Sequence, residues 1–355
     1  LNRIDRKSEY IVNDLFYESS TIYQELHMIY PSFLTNGSTI GICAPSAGAG
    51  KDLESFDACL DTLKQQGYNI KETQHVRVND PRGGSAKQRG DELNQLFQDP
   101  EVDFVMCAKG GDFLNEMIPY ISFETLKKHP KFIMGASDPT GVLYPYTTLC
   151  DVATIYGFNG GSSYDLKPLP EFVTNNLEII KGNLIEQTNY PEYQKALPWD
   201  VEGFVPDTKV QWNCTQEELS TSGRCIGGCI DVLKDLIGTK FDGTKKFVEK
   251  YANDGFIWYF DNFSLSAEVL YRTLIQMRYA GWFENTKAII VGRTLFESSE
   301  TGMSYQEALT TSCEDIPVIY DADIGHTNPH FTMINGAIFN LNYKHHQASI
   351  TFELK

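Results

Sequence analysis

The chain has 355 residues, 41% of them hydrophobic, which is enough for a large core and points to two domains. Its 30 Lys and Arg against 47 Asp and Glu leave a formal net charge of −17, which argues against a nucleic-acid polymer or an anionic membrane surface as partner, since both need basic patches. No run approaches the ~18 apolar residues of a membrane span, and the eight cysteines lack the spacing of a small secreted domain, so they read as buried thiols in a cytoplasmic protein.

In chain order, residues 1–29 read as an N-terminal extension. The chain opens at Leu1, the segment to His27 mixes polar and apolar residues and could form a helix, and Met28 could be the natural start. From Ser38 strands and helices alternate. Strands are expected over 39–43 and 103–108, and helices over 53–66, 85–97 and 123–128. Such alternation implies a parallel sheet covered by helices on both faces. Gly48-Ala49-Gly50-Lys51 suggests a phosphate loop, but Pro45 and Asp52 stand where that motif needs Gly and Ser/Thr. The stretch 44–48 is better read as a turn at the carboxyl end of the first strand, the edge that lines ligand crevices in open α/β sheets.

The run 131–141 carries the most information. A short apolar strand enters Gly135-Ala136-Ser137-Asp138, and Pro139 opens a helix expected over 140–148. A serine on a sharp strand-to-helix turn is the nucleophile-elbow pattern, although Pro139 replaces the last Gly of G-x-S-x-G. The competing reading is an ordinary helix cap. The stretch 164–221 holds Pro168, Pro170, Pro191, Pro198 and Pro206 with Trp199 and Trp212, and reads as a connection partly folded over the active site. A second α/β unit follows from Ser222. The aromatic strand 256–260 ends at Asp261-Asn262, and strand 316–320 leads through Asp321 to Gly325-His326-Thr327-Asn328-Pro329-His330. A long helix ends near Trp282-Phe283, a strand covers 289–293, and 337–354 alternates like strand. Cys225 and Cys229 are close, but no second Cys/His pair completes a zinc site. No metal or other cofactor is expected.

Three blocks together resemble the serine LD-carboxypeptidases and their relatives, the microcin C immunity peptidases, and the length of the 164–221 connection tilts the resemblance toward the immunity subgroup. The first is Gly83-Gly84-Ser85 through Arg89-Gly90-Asp91 to Lys109-Gly110-Gly111. The second is Gly135-Ala136-Ser137-Asp138-Pro139-Thr140. The third runs from Arg224 through Gly227-Gly228-Cys229 to Asp261 and then Gly325-His326. The resemblance covers 30–355. It implies Ser137 as nucleophile, with Asp261 and His326 completing a triad. Glu268 is the fallback acid and His330 the competing histidine.

The expected fold is α/β, with the active site between two domains. An open parallel-sheet, Rossmann-like N-terminal domain (30–163) carries the serine. The connection and active-site loop (164–221) leads to a smaller C-terminal α/β domain (222–355), which carries the acid and the histidine. Asp138 follows the serine and Gly111 permits close approach of backbone to substrate, so their N–H groups are the expected oxyanion donors. Lys109 and Gly110 are expected to touch substrate, with Lys109, Arg82 or Arg89 meeting a substrate carboxylate. Trp199 and Trp212 are candidate platforms for a nucleobase, or else staples of the connection. The implied substrate is a small peptide ending in D-alanine or a peptidyl-nucleotide, and the expected assembly is a homodimer. Three departures from the family pattern stand out: Asp261 for the usual Glu, Lys109 for Arg, and Cys229 for Asn. A catalytically impaired binding protein on the same scaffold is the alternative. Intact Ser137 and His326 argue against it.

Overall fold

In the computed structural model, residues 27–197, 200–201 and 203–355 are described. The helix expected near the N-terminus and Trp199 lie outside them. The first unit is built on five short parallel strands: β1 (Thr39–Cys43), β2 (Asn69–Glu72), β3 (Phe104–Cys107), β4 (Phe132–Gly135) and β5 (Thr154–Tyr156). Every residue of β3, β4 and β5 is buried. That is why these segments are apolar runs without alternation: helices cover both faces of the sheet.

The connection is not a simple cover. It forms four two-residue strands, β6 (Gln187–Thr188), β7 (Glu192–Tyr193), β8 (Thr208–Lys209) and β9 (Asn213–Cys214). It also forms the helix Glu171–Ile180, whose apolar face is buried. Strands β6 and β9 close the two ends of the second sheet. Proline punctuation marked this stretch as irregular, but tertiary pairing gives it structure that its local sequence does not announce.

The second sheet contains β10 (Glu218–Cys229), β11 (Phe256–Asp261), β12 (Thr286–Gly292) and β13 (Val318–Ala322), all parallel. Strand β14 (Met333–Asn335) leaves this unit and pairs antiparallel with β5, so the first sheet gains a sixth strand from the C-terminal part of the chain. The hairpin β15 (Ile338–Lys344) and β16 (Gln347–Glu353) completes an eight-stranded second sheet, the wider of the two. Strand β10 changes character along its length. Its first half alternates exposed and half-buried residues where it pairs only with β15, and its second half is buried throughout where it pairs with β11.

The helix Thr140–Cys150 is buried on nearly every face. It is apolar all round because it lies between the two units. Its Tyr144 ring stacks on Trp282 at 5.2 Å and 13°, and Trp282 stacks on Trp258 of β11 at 5.6 Å. Thr140 Oγ1 accepts the Cys229 N–H at 3.0 Å, and Tyr144 Oη shares a hydrogen bond with Thr244 Oγ1 at 2.6 Å. All eight cysteines are free, and all but Cys214 are buried. No helix among the described residues is long and apolar enough to cross a membrane.

Trp258 therefore ties the serine-bearing helix to the second sheet. Trp258→Ala is expected to lower the unfolding free energy by about 3–5 kcal/mol, read by chemical denaturation. A loss below about 1 kcal/mol would contradict this packing account.

Candidate functional site

The end of β4 sets the geometry. Ser137 has φ 67°, a left-handed conformation that a serine adopts only when its surroundings enforce it. Two side chains enforce it here. Asn159 accepts the Ala136 N–H through Oδ1 at 3.0 Å and donates Nδ2 to the Ala136 carbonyl at 3.3 Å. The Ser137 N–H donates to Tyr156 Oη at 2.9 Å. Gly135 leaves room for the turn, since a Cβ there would stand 2.7 Å from Pro139 Cβ.

The Gly110-Gly111 turn lies directly against the serine. A Cβ on Gly110 would stand 3.1 Å from Ser137 Cβ and 3.3 Å from its Oγ. Gly111 has φ 154°, and a Cβ there would collide with Ser46 Oγ. Ser46 in turn donates to Asp138 Oδ2, which also accepts the Leu114 N–H at 3.0 Å. The 44–48 turn thus borders the site, held to it by Ala47 N–H donating to the Gly110 carbonyl at 3.2 Å. Burial pushes the Asp138 carboxyl above the usual range despite these bonds. The N–H groups of Gly111 and Asp138 donate to no other group among the described residues.

From the second unit, β11 delivers Asp261, which is fully buried. Its carboxylate accepts from His326 Nδ1 at 2.8 Å on Oδ2 and 3.0 Å on Oδ1, and from Tyr156 Oη on Oδ2. Gly325 has φ 99°, and any side chain there would collide with Asp261 Oδ1, so the Gly-His pair needs its glycine. Burial alone would raise the Asp261 pKa, but the charge and hydrogen bond of His326 outweigh it and hold the carboxyl below its usual range. Burial likewise works against the His326 imidazolium, and Asp261 outweighs it, so His326 titrates above the ordinary histidine value. The Phe263 ring lies 4.5 Å from the imidazole. Its loop is fixed by Asp231, which accepts the Phe263 N–H at 3.0 Å, the Ser264 N–H at 3.0 Å and the Ser264 hydroxyl at 2.8 Å. A cavity of about 470 Å³ opens beside Ser137, between the Gly111 turn and the Phe263 loop.

Hydrogen bonds thus link Ser137 through Tyr156 to Asp261 and His326, and Gly110, Gly111 and Asp138 lie beside the serine. Most of the other candidates are engaged elsewhere. Trp212 does not face substrate. It is fully buried against Phe331, and its Nε1 donates to Asp323 Oδ2 at 3.0 Å, so it staples the connection to the segment before His326. Glu268 is no substitute acid, because it accepts from Ser299 Oγ, Thr301 N–H and Thr301 Oγ1 and so fixes that loop. His330 packs between Phe158 and Phe172 at 4.6 and 5.9 Å, and burial pushes it down to about 4. Arg89 is buried and donates to the Pro45 and Phe113 carbonyls at 2.8 and 3.1 Å. Arg82 lies over the Phe113 ring at 3.9 Å and donates to Glu116 at 2.8 Å. Lys109 is exposed. Among the described residues no group of three or more His, Cys, Asp or Glu could hold a metal ion.

Sequence reasoning missed Tyr156, Asn159 and Asp231. The signal for Tyr156 was its place at the carboxyl end of a strand adjoining the serine strand, the edge where α/β sheets carry chemistry. Tyr156→Phe removes the acceptor of the Ser137 N–H and a donor to Asp261 together. It is expected to lower kcat about 10- to 100-fold with KM within about threefold, since a buried unsatisfied group costs about 1–3 kcal/mol. Unchanged kcat would show that the phenol plays no part in positioning.

Two family models match the chain. The LD-carboxypeptidase N-terminal domain matches residues 40–157, and the LD-carboxypeptidase C-terminal domain matches 222–341. A Vibrio cholerae protein named "Putative carboxypeptidase" is 28% identical over 347 residues, covering 92% of this chain and 98% of its own. The microcin C7 self-immunity protein MccF of Escherichia coli is 25% identical over 339 residues, covering 92% and 96%. MccF in complex with aspartyl sulfamoyl adenosine has the same fold, with a TM-score of 0.77 at 22% identity over 92% of this chain and 99% of that one. A muramoyltetrapeptide carboxypeptidase from Oxalobacter formigenes shares it too, with a TM-score of 0.70 at 18% identity over 89% and 98%. The serine turn falls within the first matched segment and the Asp261–His326 pair within the second, and by both halves of its sequence the chain belongs to the LD-carboxypeptidase family.

Proposed function

We propose that this chain is a serine peptidase that hydrolyses an amide bond with Ser137, His326 and Asp261 as its triad. The observation that carries the reading is the hydrogen-bonded Asp261–His326 pair, linked through Tyr156 to the left-handed turn of Ser137. His326 accepts the Ser137 proton as Oγ attacks the scissile carbonyl, then returns it to the leaving amine. Asp261 keeps the proton on Nδ1, which leaves Nε2 free to act as base, and it stabilises the imidazolium. The uncommitted N–H groups of Gly111 and Asp138 receive the oxyanion at the start of the buried helix Thr140–Cys150. Water then hydrolyses the acyl-enzyme by the same proton path.

For the substrate we favour a short peptide stem ending in D-alanine over a peptidyl-nucleotide. The family supports both, but the nucleobase argument leaned partly on Trp212, which is spent inside the fold. Incubation with a muramoyl tetrapeptide and, separately, with an aminoacyl sulfamoyl nucleoside, read by mass spectrometry, distinguishes the two. Release of D-alanine is the expected result. Cleavage of the sulfamoyl compound alone would reverse the preference.

The pH dependence follows from the pair. His326 must be neutral to accept a proton, and its pKa is raised, so the acid limb of kcat/KM is expected above about 6.5, the ordinary histidine value. In stability the sign is opposite. The pair's contribution is complete below the unfolded histidine pKa and is lost as pH rises through the raised folded value. Asp261→Asn is expected to move the acid limb to lower pH and to reduce kcat about 10³- to 10⁴-fold. An unmoved limb with near-normal kcat would mean that another group orients the histidine.

A further inference from the structure

We infer that Arg293 is the positioning residue for His326: its guanidinium clamps the histidine's loop on both sides and so holds the imidazole in place for proton exchange with Ser137. This rests on the serine-peptidase reading and adds to it a residue that acts through His326 without touching substrate. Residues 323–332, between β13 and β14, form neither helix nor strand, so no backbone ladder holds the histidine. Arg293 stands directly after β12. Its Nε donates to Thr327 Oγ1 at 3.2 Å and its Nη1 to the Asp321 carbonyl at 3.1 Å. Its Nη2 donates to Asp323 Oδ1 at 2.5 Å and to the Pro329 carbonyl at 3.4 Å. Two of these partners precede His326 and two follow it, and Thr327 is its immediate neighbour.

Arg293 and Asp323 are both buried, and buried charges persist only when paired and hydrogen-bonded. Asp323 Oδ2 accepts from Trp212 Nε1 and from the Tyr190 N–H, each at 3.0 Å, and the Asp323 carbonyl accepts the Phe331 N–H at 2.7 Å. The Tyr193 ring of β7 covers the guanidinium at 4.4 Å, so the connection closes over the arginine. Gly292 lets the end of β12 approach the loop, since a Cβ there would stand 2.0 Å from the Ile324 carbonyl oxygen. A planar guanidinium meets several acceptors at fixed angles, which a lysine ammonium does not. The imidazole itself is met by Asp261 and the Phe263 ring, so a shift of the loop changes its place against both. Misplacing a reacting group by about 1 Å can cost about 10²-fold in rate.

Two variants test the clamp. Arg293→Lys keeps a positive charge beside Asp323 and loses the fork, and Thr327→Val removes one acceptor from the loop. The readouts are the rate constant for fluorophosphonate labelling of Ser137, its pH profile, and thermal unfolding. Arg293→Lys is expected to slow labelling at least about tenfold and Thr327→Val at least about threefold, in protein still folded at the assay temperature. The acid limb should move to lower pH in both. Burial lowers the imidazole's pKa and Asp261 outweighs it, so drift away from Asp261 lets burial prevail. Loss of a nearby cation would move the limb the other way. The other titratable groups facing the imidazole, Asp231 and His330, are untouched. Arg224→Lys is the control, because Arg224 is also buried and paired, with Asp254 at 2.5 Å, but grips the Gly336 carbonyl rather than the His326 loop. It should lose stability with labelling and limb unmoved. If Arg293→Lys does not fold, Thr327→Val decides. A labelling rate or an acid limb unchanged in both loop variants, or an equal fall in Arg224→Lys, overturns the inference while the peptidase reading stands. Wild-type protein that leaves Ser137 unlabelled overturns both.

Discussion

The fully buried carboxylate of Asp261 is the constraint on which the rest of the site depends. A buried charge is costly unless it is paired and hydrogen-bonded. Its partners come from both halves of the chain: Tyr156 from the first sheet, and His326 from the segment after β13. Because Tyr156 also receives the Ser137 N–H, satisfying one carboxylate fixes the distance between the two units and the posture of the serine turn. Strand β14, lent by the second unit to the first sheet, and the Tyr144–Trp282–Trp258 stack hold the same relation from the other side. Hinge motion between the units would have to break all three at once.

Much of this was legible in the sequence. The strand at Thr39–Cys43, the helix at Phe123–Lys128 and the turn at Ser137 sit where periodicity and turn chemistry put them. Asp261 and His326 were reachable because each follows a strongly apolar strand. Tyr156 offered only its place at the carboxyl end of a strand, because a tyrosine ending a three-residue strand otherwise looks like any core aromatic until its phenol is seen between two domains. Of the two readings open for Trp212, substrate platform or staple, the structure favours the staple. Prolines suggested an exposed connection, yet its indole N–H finds a partner in Asp323, and Asp323 is itself held by Arg293. Long-range pairing of this kind leaves no local trace.

Charge shows the same limit. Arg82 and Arg89 had the right chemistry for a substrate carboxylate, but Arg82 pairs with Glu116 over the Phe113 ring and Arg89 is buried against two backbone carbonyls. Arg89 joins the Pro45 turn to the Phe113 loop, a structural task that sets where Gly111 stands. The Asp-for-Glu departure at 261 also gains a physical setting. The shorter acid fits a niche closed by Gly325 on one side and by Tyr156 on the other.

The central claim is that Ser137 is activated through His326 by a carboxylate shared across the two units. The most direct measurement is covalent labelling of the native protein with a fluorophosphonate, followed by intact mass and peptide mapping. The account predicts one adduct, on Ser137, with the labelling rate falling steeply in His326→Ala. Labelling of a different residue, or a rate on Ser137 indifferent to His326, would contradict it.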